Sequence, residues 1–115
     1  MSKDGTAVKE KIHVKTPDGK KWEKIVALFD ERSAHDYIGR NLAKKLVAEG
    51  EGGFEETVRL HVKVMGDEYS WPFSLSDTER GADLVFGQEF MKNQGVVIKG
   101  NKIAYAPGYP QGPMI

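Results

Sequence analysis

The stretch Ile25–Ile38, IVALFDERSAHDYI, decides how the chain folds. Five apolar residues, Ile25 to Phe29, run into a single acid, Asp30. An unbroken apolar run of that length fits a strand buried on both faces. A carboxylate placed where such a strand leaves the core is costly to bury. Glu31, Arg32, Ser33 and Ala34 follow, then a His-Asp pair, then an apolar restart at Tyr37-Ile38. Read alone, this is a strand end whose Asp opens a turn.

On the N-terminal side, Val8, Ile12 and Val14 alternate with Lys9, Lys11, His13 and Lys15, the pattern of a half-buried strand. Thr16-Pro17-Asp18-Gly19 is a turn, because Pro presets one dihedral and Gly permits positive φ. Trp22–Phe29 is then the returning arm of a hairpin that delivers Asp30. On the C-terminal side, Gly39–Glu49 reads as a helix with Leu42, Ala43, Leu46 and Val47 on one face, ended by Gly50. An acidic, Gly-rich connection leads to Thr57–Met65, where Val58, Leu60, Val62 and Val64 alternate with Arg59, His61 and Lys63. Gly66-Asp67 is expected to turn the chain into a strand carrying Tyr69, Trp71, Phe73 and Leu75, with Pro72 at an edge or bulge. After a polar loop come the short strand Asp83–Gly87, a helix Gln88–Gln94 capped by Gly95, and a hairpin Val96–Tyr105 turning at Gly100-Asn101.

Two of these segments together resemble the retropepsin-like aspartic peptidases of retroviruses and retrotransposons. In that family an apolar strand ends in Asp-Thr-Gly or Asp-Ser-Gly, and an aromatic-Ile pair and a helix follow. Here Asp30 and Tyr37-Ile38 match. Later, an apolar-apolar-Gly strand lies beside the catalytic turn; Leu84, Val85, Phe86 and Gly87 match it, and the short helix and terminal hairpin follow in order. The resemblance covers Val8 to Tyr105. It implies a mostly β fold, a closed or folded sheet of hairpins with one main helix and one short C-terminal helix. Around this domain at 8–105, the small and polar residues 1–7 read as a flexible N-terminus and the prolines of 106–115 mark a Pro/Gly-rich tail.

The resemblance also implies a chemistry. Aspartic peptidases use two carboxylates about 3 Å apart that share one proton, with no cofactor and no metal. One such motif per chain implies a homodimer with one Asp30 from each copy, acting on a peptide or protein. The chain departs from the family at two positions: Glu31 stands for Thr or Ser, and Arg32 for Gly. Glu cannot reproduce the short hydroxyl bond that braces the two turns, and Arg32 adds bulk where Gly lets backbones approach. The charge of Arg32 works against a shared proton if it points at Asp30. Alternatively, Arg32 and Glu31 pair across the two-fold axis, or both are exposed turn charges on a monomer. The flap that covers bound peptide in the family is also missing, since only Glu51–Glu56 is available for it. The expected function is therefore a retropepsin-like module with weak or no catalysis. The alternatives are an active aspartic endopeptidase using Asp30, and a small β-barrel that binds nucleic acid.

Composition narrows the field. Seventeen basic and seventeen acidic residues give a formal net charge of zero, which argues against nucleic acid as a partner. The absence of cysteine excludes disulfides and thiol chemistry. No apolar run approaches membrane-spanning length and no signal-peptide core opens the chain, so the expectation is a cytoplasmic domain without a membrane partner. Ser33, His35 and Asp36 are triad residue types, but they lie too close in sequence to converge. The same turn, with Asp30 and Glu31, holds metal-ligand residue types and is read as solvated instead.

Overall fold

The computed structural model describes residues 7–46, 57–76 and 82–107. Ten elements follow the order β1 (Ala7–Lys15), β2 (Glu23–Asp30), β3 (Tyr37–Gly39), α1 (Arg40–Leu46), β4 (Thr57–Val64), β5 (Asp67–Ser76), β6 (Leu84–Phe86), α2 (Gln88–Gln94), β7 (Val96–Lys99) and β8 (Lys102–Tyr105). Six strands close a barrel in the order β1-β2-β6-β3-β5-β4, and β7-β8 form a separate hairpin. Closure gives each barrel strand a neighbour on both sides, over only three residues between β1 and β4 and between β3 and β5.

The apolar alternation of β1 and β4 maps onto the barrel interior: Ile12, Val14, Val58, Leu60, Val62 and Val64 are all in the core. In β2, Ala27, Leu28 and Phe29 are buried in succession, as expected of a strand covered on both faces. Beside it in the sheet lies β6, which pairs parallel to β2 with Phe29 opposite Phe86. On its other side β6 pairs antiparallel to β3, with Tyr37 opposite Val85. The short loop from Glu31 to Asp36 thus joins two strands that are held apart by a third. Phe86 stacks on Phe29 at 4.6 Å between ring centroids and meets Phe73 and Phe90 edge-on.

Three local expectations are corrected. Tyr37-Ile38 is not merely an apolar lead into the helix; it starts β3, which also pairs parallel to β5. The β4–β5 turn is centred on Met65-Gly66, not Gly66-Asp67, because Val64 pairs with Asp67. Both central residues have positive φ, 51° and 88°, as a two-residue hairpin of this hand requires. Trp22 precedes β2 and packs under two lysines instead of lying in the strand. Pro72 sits opposite Arg59 on β4. The β5–β3 pairing is confined to Ser74–Ser76, so Pro72 lies outside it and its missing N–H costs nothing there. The expected helix end at Gly50, the acidic lid candidate and the tail from Gly108 on lie outside the described residues.

Candidate active site

Asp30 is the last residue of β2 and is 3% exposed. One of its carboxylate oxygens, Oδ1, accepts the Arg32 backbone N–H at 2.9 Å, and its carbonyl accepts the Ser33 N–H at 3.1 Å. This is an Asx turn, the local geometry in which an Asp folds back on its own chain. Arg32 Nε donates to the same Oδ1 at 3.2 Å. The Arg32 side chain is 74% exposed while that of Asp30 is 4% exposed, so a solvated guanidinium is tethered to a buried carboxyl group.

Gly87 follows Phe86 as Asp30 follows Phe29, which places the two residues side by side at the ends of paired parallel strands. The Glu31–Asp36 loop presses directly on Gly87. A Cβ there would lie 2.3 Å from the His35 carbonyl oxygen and 2.5 Å from that of Ser33. Its φ of −105° is open to any residue, so Gly87 is needed for space and not for backbone freedom. Two more bonds fasten the turn to α2: Gln88 N donates to Ser33 O at 2.8 Å, and Gln88 Nε2 donates to Glu31 O at 2.6 Å.

Asp36 was expected in a solvated turn and is instead 2% exposed. Its Oδ1 accepts the Gly87 N–H at 2.6 Å and the Phe90 N–H at 3.4 Å, and its Oδ2 accepts Trp71 Nε1–H at 2.7 Å. The carboxylate thereby caps α2 from another segment of chain, since Gly87 at the N-cap has no side chain to do so. Burial pushes the Asp36 carboxyl above its ordinary value, against the three N–H donors that favour its charged form. A helix opening on Gly, with no Ser, Thr or Asp beside it, was the available sign that a cap must arrive from elsewhere. Trp71, read as a core or interface aromatic, is the donor that fixes this cap.

The remaining turn residues do not converge. Ser33 Oγ donates to the His35 carbonyl at 2.8 Å, and the exposed His35 ring meets Glu89 at 3.4 Å. Ser33, His35 and Asp36 therefore face three different partners, and no triad forms. Ala34 is exposed. Among the described residues no group of three or more His, Asp or Glu side chains converges on a metal position. Beside the turn, Glu31, Gln88, Met91, Gly95, Val97 and Ala106 line a largely apolar cavity of about 430 Å³.

No protein-family model matches the sequence, and no curated protein sequence does. Solved structures do. The structure is similar to the retroviral protease-like domain of Ddi1 from Leishmania major, with a TM-score of 0.62 over 83% of each chain. The fold is retropepsin-like. Sequence identity in that comparison is 12%, so it is the architecture that the two domains share. Among the described residues no helix is long and apolar enough to cross a membrane.

Proposed function

We propose that this chain is a retropepsin-like module that has lost peptide hydrolysis at Asp30 and serves as a homodimeric contact for a peptide or protein. The observation that carries this reading is the Arg32 Nε–Asp30 Oδ1 contact at 3.2 Å. A shared-proton dyad needs a second carboxylate about 3 Å away, with a proton between them. Here Oδ1 already accepts two N–H donors, one from the backbone and one from the guanidinium. Arg32 also brings a long side chain to the place where a two-fold partner's turn must approach closely, a place that suits glycine. Glu31 adds an acid beside it, where a short hydroxyl would brace the two turns.

The second reading, an active endopeptidase, is favoured by one feature. Asp30 keeps its backbone setting, with the Arg32 N–H on Oδ1 and Gly87 alongside. A comparison of three proteins on denatured casein between pH 4 and 7 separates the two readings. The sequence as it stands and Asp30→Asn are expected to be equally inactive. Glu31→Thr combined with Arg32→Gly is expected to cleave, and general acid–base help alone is worth roughly 10²–10⁴ in rate. Cleavage by the parent that disappears in Asp30→Asn establishes the second reading instead.

A further inference from the structure

The net charge of zero conceals a one-sided distribution. The outward residues of β1 are Lys9, Lys11, His13 and Lys15. On β4, which pairs with β1, the outward residues are Arg59, His61 and Lys63. His13 lies between Lys24 of β2 and Lys63 of β4, and Lys15 lies opposite His61. Lys9, Lys11 and Lys15 of β1 thus share one outer face with Lys63 of β4, and their common charge favours a partner of opposite sign. Of the acids Glu10, Glu23 and Glu68 beside this row, Glu68 alone shares its face. Glu10 and Glu23 fall on the inward side of their strands, Glu23 opposite Val14, and Glu68 is the acid set across from Lys63. Two ammonium groups are also held in place: Lys63 Nζ and Lys15 Nζ lie 4.5 and 5.3 Å from the Trp22 ring centre, and Lys15 donates to the Gly19 carbonyl.

We propose that the outer face of β1 and β4 binds an extended acidic peptide segment of a partner protein. Same-face residues on a strand recur about every 6.8 Å, twice the rise per residue. An extended peptide with Glu or Asp at alternate positions repeats at the same distance and sets one carboxylate beside each of Lys9, Lys11, His13 and Lys15. β1 is paired with β2 along Ala7–Val14 and with β4 at His13–Lys15, so around His13 and Lys15 the peptide lies across the face and does not join as a strand. Single-stranded nucleic acid fits less well. Its bases need a free aromatic face, and the Trp22 ring already carries two lysines. The proposal is independent of the chemistry at Asp30, since none of these residues belongs to that turn, to β6 or to α2.

The test titrates the whole chain with a labelled alternating Glu-Ser peptide, following anisotropy and the amide and indole N–H spectra. A Gln-Ser peptide and an oligothymidylate are run at the same salt. The Glu-Ser peptide is expected to bind, with shifts confined to β1, β4 and Trp22, and to weaken as salt screens the charges. Lys11→Glu with Lys63→Glu is expected to lower affinity by at least about tenfold. Lys44→Glu with Lys92→Glu, on α1 and α2, is expected to leave it unchanged. Thermal melting checks the fold of the charge-reversed protein, and Lys11→Gln with Lys24→Gln provides a milder variant with a smaller loss in the same direction. Equal binding of the Gln-Ser peptide, tighter binding of the oligothymidylate, or an equal loss in the Lys44/Lys92 variant overturns the proposal.

Discussion

Gly87→Ala is expected to destabilise the domain by about 3 kcal/mol or more, at or beyond the upper end of what one added methyl costs in a packed interior. The new Cβ meets two backbone carbonyl oxygens, of His35 and Ser33, inside 2.6 Å, and neither can swing away as a side chain would. Relief requires the Glu31–Asp36 loop to move off β6. That movement would break the Gln88 N–Ser33 O bond and the Asp36 bond to Gly87 N. Gly39→Ala is the matched control: its Cβ meets only the Asp83 carbonyl oxygen, at 3.4 Å, and the cost is expected to be small. Chemical denaturation of both variants measures the difference. A Gly87→Ala protein within 0.5 kcal/mol of the parent, about the scatter of an ordinary surface change, would mean that the loop does not sit on β6 as described.

Asp36→Ala is expected to cost about 3 kcal/mol, because it strands buried N–H donors at Gly87 and Trp71. For a domain of this size that corresponds to a fall in melting temperature of more than about 10 °C. Asp36→Asn keeps one acceptor oxygen but sets an amide N–H₂ against one of the donors, so it is expected to fall between the parent and Ala. The two proteins also differ in their response to pH. Folding raises the Asp36 carboxyl above its ordinary value of 3.8, so the folded state prefers the protonated form. The stabilisation from this preference is complete below 3.8 and is lost as pH rises through the raised folded value. The advantage of the parent over Asp36→Asn is therefore expected to be largest in acid and to narrow toward neutrality. A gap that instead widens with pH would mean that the three N–H donors outweigh burial and hold the carboxyl low.

The elements were legible where the information is local. Alternation in Val8–Lys15 and Thr57–Met65 marked the half-buried strands, and the unbroken run before Asp30 marked a strand buried on both sides. The Gly87 strand, the short helix and the terminal hairpin were legible from their turn and cap residues. What escaped depends on partners far along the chain. The donors that bury Asp36 stand 51 and 54 positions away, and its indole donor 35 away. Tyr37–Gly39 is too short to announce itself as a strand and becomes one because β5 and β6 flank it. The hairpin register that centres the turn on Met65 follows from which of Val64 and Asp67 pair, and a Gly-Asp pair read alone points one residue late. The basic face escaped for the same reason. Each row of outward lysines was visible on its own strand, but their adjacency arises only when β1 closes the barrel against β4.

The central claim is that Arg32 occupies the carboxylate a peptidase would use, in a domain that pairs about a two-fold axis. A crystal structure of the purified protein at neutral pH tests it most directly. The expected result is a symmetric dimer in which each Arg32 Nε stays within hydrogen-bond reach of its own Asp30 Oδ1, with no proton-sharing contact between the two Asp30 side chains. Two Asp30 carboxylates about 3 Å apart across the axis, with both Arg32 side chains turned out to solvent, would contradict it.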